Sequence, residues 1–244
     1  MLMKGKSVLV TGGARRIGRE ICLTMAAAGA DVAYTYLSSS QEARRLLGEL
    51  KGSKVRALAV RCDVRSEKSV AAALRRVEAE FGGLDVLINN AGAYATVDFE
   101  KITPRQWDEM FAINTRGPFL MSRLAARMLR ARKGRIINIG SLGGVRPWAS
   151  HAHYCSSKAA LVMLTEVTAK ALAPEISVNC VSPGMISAGN SQPTAFLRHV
   201  AGKTPMRRAG TPAEVAAAVL FFATGPHFIT GQVLGVDGGL GLES

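Results

Sequence analysis

Acidic residues and aromatic rings are both scarce in this sequence. Its 244 residues include only 18 Asp and Glu against 31 Lys and Arg, so the formal net charge is +13. This charge predicts an attraction to anions such as nucleic acid, acidic membranes or anionic small molecules, but it defines no site. Aromatic residues make up 6% and the arginines are spread over several segments, whereas nucleic-acid grooves combine basic stripes with stacking rings. Nucleic-acid binding is therefore not expected as the main function.

The sequence also lacks paired cysteines and long apolar runs. Its four cysteines show no Cys-x-x-Cys spacing, so we expect reduced thiols, no disulfide framework and no metal site. No long apolar run follows the lysines of the first seven residues before Thr11-Gly12-Gly13, so no signal peptide is predicted. The stretch from Val215 to Val236 is uncharged, but Gly225-Pro226-His227 interrupts it before it reaches the roughly 20 residues that span a bilayer. A cytoplasmic protein with no membrane segment is expected.

Short apolar segments alternate along the chain with longer segments of helical periodicity. The short segments are nearly continuous in apolar residues, which predicts strands buried on both faces. Strands are predicted at Ser7–Val10, Val32–Tyr36, Val55–Val60, Leu84–Ile88, Arg135–Ile139, Ser177–Val181 and Gln232–Val236. Helices are predicted at Arg16–Ala28, Gln41–Leu50, Glu67–Phe81, Pro104–Arg132, His153–Leu172 and Pro212–Ala223. This alternation predicts an α/β fold, a doubly wound (Rossmann) parallel sheet with helices on both faces, formed by residues 1–244 as one domain.

The end of the first strand carries a glycine-rich turn, from Thr11 to Gly18. Glycines let the backbone approach a pyrophosphate, and the start of the following helix favours an anion. No carboxylate follows the second strand, where enzymes that use NAD usually bind the ribose hydroxyls. Arg15 and Arg16 together with Ser38 and Ser39 favour an additional phosphate instead, and therefore NADP(H). The alternative is a structural turn with solvated arginines and serines that cap the next helix.

A tyrosine and a lysine, Tyr154 and Lys158, are spaced four residues apart at the start of a predicted helix, which places them on one face. A lysine ammonium near a phenol favours the phenolate and lowers its pKa, which suits acid–base chemistry. Taken alone, this spacing is common and also fits a surface pair.

Together these motifs resemble the short-chain dehydrogenase/reductase family over nearly the whole chain, in its single-domain branch. The resemblance rests on Thr11-Gly12…Gly18, Asp63, Asn89-Asn90-Ala91-Gly92, Asn114, Ser141, Tyr154…Lys158 and Pro183-Gly184, which occur in the family's order. Ser141 also precedes Tyr154 by the family's common spacing of thirteen positions.

The resemblance implies a role for each residue of the motifs. Tyr154 is expected to donate the proton as hydride arrives from the nicotinamide, and Ser141 to hold the substrate oxygen. Lys158 is expected to bind the nicotinamide ribose and to lower the pKa of Tyr154, and Asn114 to hold a water in a proton relay. The implied cofactor contacts are Gly12, Arg15, Arg16, Ile17, Gly18, Tyr36, Ser38, Ser39, Asp63, Val64, Asn90, Ala91, Gly92, Tyr154, Lys158, Pro183, Gly184 and Ile186.

Two positions, Arg16 and Ala188, depart from the family pattern. Arg16 stands where the family's middle glycine is usual, and Tyr94 follows the Asn-Asn-Ala-Gly motif; both resemble pteridine reductases. Those enzymes often have Asp at the position of Ser141. Ala188 stands where Thr often bonds the carboxamide, with Ser187 as the possible substitute.

The segments Thr204–Pro212 and Ile229–Gly239 are similar to 3-oxoacyl-(acyl-carrier-protein) reductases. We therefore expect an NADPH-dependent reductase of a ketone or 3-oxoacyl thioester, with Tyr94, Ser141 and Tyr154 binding the substrate. The alternatives are reduction of a dihydropterin and, in another class, a non-catalytic NADPH sensor. A substrate lid is expected near 185–203, with assembly as a homotetramer or dimer and an acyl carrier protein as a possible partner.

Overall fold

Seven parallel strands form one sheet in the order β3-β2-β1-β4-β5-β6-β7. The computed structural model describes residues 1–187 and 195–242, apart from the side chains of residues 195–197. The strands are β1 Ser7–Val10, β2 Asp31–Tyr36, β3 Ala57–Arg61, β4 Val86–Asn89, β5 Arg135–Ile139, β6 Ser177–Pro183 and β7 Val233–Val236. All seven predicted strands are present, with ends shifted by up to two residues. Because all run parallel, their carboxyl ends meet at one edge of the sheet.

The helices cover both faces of this sheet, as predicted. They are α1 Arg16–Ala27, α2 Ser40–Lys51, α3 Glu67–Phe81, α4 Pro104–Phe111, α5 Gly117–Ala131, α6 Ala152–Leu172, α7 Ala195–Lys203 and α8 Pro212–Thr224. One core lies under α1, α2 and α8 and includes Ile21, Leu46 and Val219. The other lies under α3, α5 and α6 and includes Val77 and Met121. Within the described ranges, no helix is both long enough and apolar enough to cross a membrane.

Local side-chain bonds fix where several helices begin. At α4, Thr103 and Gln106 form a reciprocal capping box ahead of a proline in the first turn. Thr211 and Glu214 do the same at α8. These bonds pair amide groups that a helix leaves unpaired at its start.

The prediction of one helix from Pro104 to Arg132 is wrong in its middle. A π-helical turn at Ala112–Arg116 separates α4 from α5. Such a turn contains an extra residue, and it often occurs at functional sites. Here it contains Asn114, whose side chain bonds to segments outside the helix.

The predicted lid is described only in part. The chain continues from β6 to Ile186, which pairs with Gly210, and the last part of the lid forms α7. Residues 188–194, including Ala188, lie outside the described residues. Ser187 donates its backbone N–H to the carbonyl of Gly210 at 2.9 Å.

Candidate active site

The glycine-rich turn after β1 is packed closely against the loop after β4. Gly12 has φ +63°, and a Cβ there would lie 3.0 Å from the Cα of Ala91. A Cβ on Gly18 would lie 2.4 Å from the carbonyl oxygen of Gly12, so this position has no room for a side chain. The Asn90 amide nitrogen donates to the carbonyls of Thr11 at 2.9 Å and Gly12 at 3.0 Å. The result is a glycine-lined backbone cradle at the start of a helix, an arrangement that suits a pyrophosphate.

A cleft of about 520 Å³ opens from this cradle along the carboxyl edge of the sheet. Most predicted cofactor contacts line it, namely Gly12, Arg15, Arg16, Ile17, Gly18, Tyr36, Ser38, Ser39, Asp63, Val64, Asn90, Ala91 and Gly92. The lining also includes residues that the sequence analysis missed: Ala14, Thr35, Leu37, Cys62, Arg65, Glu109 and Ile113. The first five adjoin predicted contacts in sequence, whereas Glu109 and Ile113 belong to the α4 region and carry no local signal.

Besides Tyr154 and Lys158 in α6, three predicted cofactor contacts, Pro183, Gly184 and Ile186, are not part of this lining. Pro183 ends β6, and the Gly184 N–H donates to the carbonyl of Val236 at 3.0 Å. A Cβ on Gly184 would lie 2.7 Å from the Cβ of Asp237, so this glycine permits a close backbone contact. Contact between these three residues and a cofactor stays a prediction.

The charges around the cradle fit a ligand with an additional phosphate. Arg15 and Arg16 are exposed, and no carboxylate of the described residues lies within ion-pair distance of either. Arg16 has φ +50°, the left-handed conformation that glycine adopts freely. Ser39 occupies the N-cap position of α2, but its side chain makes no capping bond, so the capping alternative is wrong for Ser39.

Ser141 and Tyr154 are brought together between β5 and α6. Ser141 begins a short 3₁₀ turn at Leu142–Gly144, and its hydroxyl accepts the Gly143 N–H at 3.1 Å. Burial of the phenol raises the pKa of Tyr154 above its usual value, against the opposing effect of the nearby Ser141 hydroxyl. The phenol is therefore protonated at neutral pH.

Lys158 lies one turn further along α6, and only 5% of its surface is exposed. Its ammonium donates to the carbonyl of Ile139 at 2.8 Å. Burial lowers the pKa of Lys158 to about 8, against an opposing attraction from Cys180. The expected lowering of the Tyr154 pKa by Lys158 is therefore not what the structure shows, because burial dominates the phenol and the ammonium is bound to Ile139.

Asn114 links the π-helical turn to both sides of the site. Its amide nitrogen donates to the Ala93 carbonyl and to the Ser157 hydroxyl, each at 3.0 Å, and its oxygen accepts the Ala93 N–H at 2.8 Å. The Ser157 hydroxyl donates in turn to the carbonyl of Tyr154 at 2.7 Å. Asn114 therefore holds the loop after β4 against the start of α6, while its part in a water relay stays a prediction.

Aromatic side chains surround Tyr154 on its open side. The ring of Tyr94 lies edge-on to that of Tyr154, with centroids 5.0 Å apart, and Trp148 lies nearly parallel to Tyr154 at 6.3 Å. The Tyr94 hydroxyl hydrogen-bonds to Nε2 of His151 at 2.7 Å. Tyr94 is 59% exposed, so it presents a ring surface beside the phenol. Trp148 and His151 were missed by the sequence analysis, because their only signal is that they precede Tyr154 closely.

Comparison with known proteins agrees with this geometry. A family model described as enoyl-(acyl carrier protein) reductase matches residues 12–241. A 3-oxoacyl-(acyl-carrier-protein) reductase of Staphylococcus epidermidis is 34% identical over 240 residues, which cover 96% of this chain and 98% of the relative.

Solved structures agree as well. A short-chain dehydrogenase/reductase from Serratia marcescens has a TM-score of 0.94 at 35% identity, covering 99% of this chain and 100% of its own. A blue fluorescent protein from a metagenomic library, solved in complex with NADPH, has a TM-score of 0.93 at 33% identity, with 98% and 99% covered. The chain belongs to the short-chain dehydrogenase/reductase family of oxidoreductases.

Proposed function

We propose that this protein uses NADPH to reduce a carbonyl group, in a ketone or a 3-oxoacyl thioester, to an alcohol. The observation that carries the proposal is a Tyr154 phenol with a raised pKa near Ser141, at the same carboxyl edge of the sheet as the backbone cradle of Gly12 and Gly18. A proton donor and a dinucleotide cleft together are what reduction of a carbonyl requires, because the bound cofactor supplies hydride and the protein supplies the proton.

Each residue of the site has a distinct task in this proposal. The Ser141 hydroxyl holds the substrate oxygen beside the Tyr154 phenol, which donates its proton as negative charge develops on that oxygen. The buried Lys158 ammonium binds the nicotinamide ribose of the cofactor beside this phenol. Asn114 holds the loop after β4 against the start of α6, and we propose that it also binds a water in the relay that reprotonates Tyr154.

NADPH is proposed over NADH for two reasons. Among the residues that the structure describes, no carboxylate forms an ion pair with Arg15 or Arg16, and Ser38 and Ser39 line the same cleft. The structural neighbour bound to NADPH supports the same choice. The lining of the cleft and the NADPH-bound neighbour both favour recognition of the 2′-phosphate that distinguishes NADPH from NADH.

The names of the relatives favour a 3-oxoacyl thioester as substrate. A net charge of +13 would attract an acidic acyl carrier protein, which we propose as the donor of this thioester. Reduction of a dihydropterin is a second candidate, favoured by the exposed ring of Tyr94 beside Tyr154. Because the hydroxyl of Tyr94 is bonded to His151, the part of Tyr94 that remains for a pterin to contact is the flat face of its ring.

The proposal extends to assembly as a homotetramer in the cytoplasm. Phe119 on α5 and both Met163 and Val167 on α6 are exposed apolar side chains, which suit an interface between subunits. Light scattering tests this directly: a tetramer is expected, and a monomer at micromolar concentration would contradict it.

The substrate is tested by following NADPH consumption with acetoacetyl thioester and with dihydrobiopterin, each repeated with NADH. Faster turnover of the thioester with NADPH is expected. Faster turnover of the pterin would select the second candidate. A protein that binds NADPH but reduces neither compound would refute both.

A further inference from the structure

The adenosine end of the cleft is fixed by the order of the strands. The cradle lies at the end of β1, in the middle of the sheet, and Ser141 and Tyr154 lie on the β5 side. A dinucleotide with its nicotinamide near Tyr154 and its phosphates at the cradle must extend toward β2 and β3. Its adenine therefore meets the segment that follows β3. This placement rests on the proposed function.

Arg65 occupies this segment in a fixed orientation. Its Nε donates to one carboxylate oxygen of Asp63 at 2.9 Å, and its Nη2 donates to the other at 2.8 Å. Its Nη1 donates to Glu109 at 3.0 Å. All three side chains line the cleft. The guanidinium thus connects the loop after β3 to α4 across one end of the cleft.

Without this arginine, the wall would carry two uncompensated carboxylates. Asp63 and Glu109 would repel a cofactor whose phosphates are strongly anionic. The bidentate geometry also restrains the loop, because a planar fork bonded to a carboxylate fixes both partners. The paired guanidinium lowers the pKa of Asp63, which keeps this carboxylate ionised and bonded.

We propose that Arg65 is a positioning residue for the adenosine half of the cofactor. By bonding Asp63 and Glu109 it builds the wall against which the adenine lies and offsets one of the two negative charges of that wall. It takes no part in the proton or hydride transfer. Its effect is therefore expected in cofactor affinity and not in turnover.

The test compares Arg65→Ala with Arg65→Lys and with a control, Arg127→Ala. Arg127 pairs with Glu78 in an exposed ion pair outside the residues that line the cleft. Three quantities are measured: the Kd of NADPH by its fluorescence, the Ki of adenosine 2′,5′-bisphosphate, and kcat at saturating NADPH. Thermal denaturation of each variant shows whether it is folded.

In Arg65→Ala we expect the Kd of NADPH and the Ki of the bisphosphate to rise together, by about fivefold, which is roughly 1 kcal/mol. The value of kcat should stay unchanged. Arg65→Lys should lose less affinity for NADPH, since lysine keeps the positive charge but lacks the planar guanidinium that bonds both carboxylate oxygens of Asp63. Adding Glu109→Gln to Arg65→Ala should restore part of the affinity, because it removes one uncompensated carboxylate. Arg127→Ala should change none of these quantities.

Two outcomes would overturn this inference and leave the proposed function unaffected. One is an unchanged Kd in a folded Arg65→Ala protein. The other is a rise in the Kd of NADPH without any rise in the Ki of the bisphosphate, which would place the effect outside the adenosine half. A wild-type protein that fails to bind NADPH at all would overturn the proposed function, and the inference with it.

Discussion

Replacing Arg16 by glycine should make the protein more stable and its cofactor binding weaker. Arg16 has φ +50°, and this conformation costs a residue other than glycine about 1–2 kcal/mol. Glycine relieves that strain but loses roughly 0.5–1 kcal/mol through its greater freedom in the unfolded chain. The net gain is about 0.5–1 kcal/mol, which raises the Tm by about 1–4 °C at this size.

The same change removes a guanidinium proposed to bind the 2′-phosphate. A hydrogen bond to a charged group contributes about 1.5–3 kcal/mol, so the Kd of NADPH should rise about 10- to 100-fold. Binding of NADH, which lacks that phosphate, should change little. Fluorescence titration with both cofactors measures the affinities, and thermal denaturation without cofactor measures the Tm.

A second variant, Arg16→Asn, separates the two effects, because Asn tolerates the left-handed conformation but carries no charge. It should bind NADPH as weakly as Arg16→Gly does. An equal loss of affinity for NADPH and NADH would refute the proposal that Arg16 binds the 2′-phosphate. A lower Tm in Arg16→Gly would refute the argument from backbone strain.

Two further predictions concern the lysine and the glycine cradle. Because the pKa of Lys158 is about 8, its positive charge is present below that pH and lost above it, so kcat/KM for reduction should fall above pH 8. Lys158→Arg, if active, should lack this fall in a pH–rate profile. In Gly18→Ala, a Cβ 2.4 Å from the Gly12 oxygen and 2.5 Å from the Asn90 amide must displace the cradle, and NADPH affinity should drop at least about tenfold. Gly48→Ala, where a Cβ meets nothing within 4 Å, is the matched control; retained affinity in Gly18→Ala would contradict the account.

The fold could be predicted because each of its elements has a local signal. Continuous apolar runs predict the strands, and their alternation with helical segments predicts that the strands run parallel. The break at Ala112–Arg116 was missed, although Gly117-Pro118 directly after it is a local signal for the end of one helix and the start of another. Its stabilising partners, Ala93 and Ser157, are distant in sequence from Asn114 and become neighbours only in the folded chain.

Some features of the candidate site can also be predicted from the sequence, and others cannot. The glycine cradle and the pair of Tyr154 and Lys158 follow from local spacing. The direction of the Tyr154 pKa does not, because spacing suggests the effect of a nearby ammonium while burial comes from tertiary packing. The link between Arg65 and Glu109 was likewise hidden, because it joins a loop to a helix 44 residues away.

The most direct test of the central claim, that Tyr154 donates the proton, is the turnover of Tyr154→Phe with NADPH and acetoacetyl thioester. Phenylalanine keeps the ring that packs against Tyr94 and removes only the hydroxyl. Loss of a general acid lowers the rate by about 10²- to 10⁴-fold, so kcat should fall by that factor while the Kd of NADPH and the Tm stay close to the wild-type values. A Tyr154→Phe protein that is folded, binds NADPH and reduces the thioester at the wild-type rate would contradict the account.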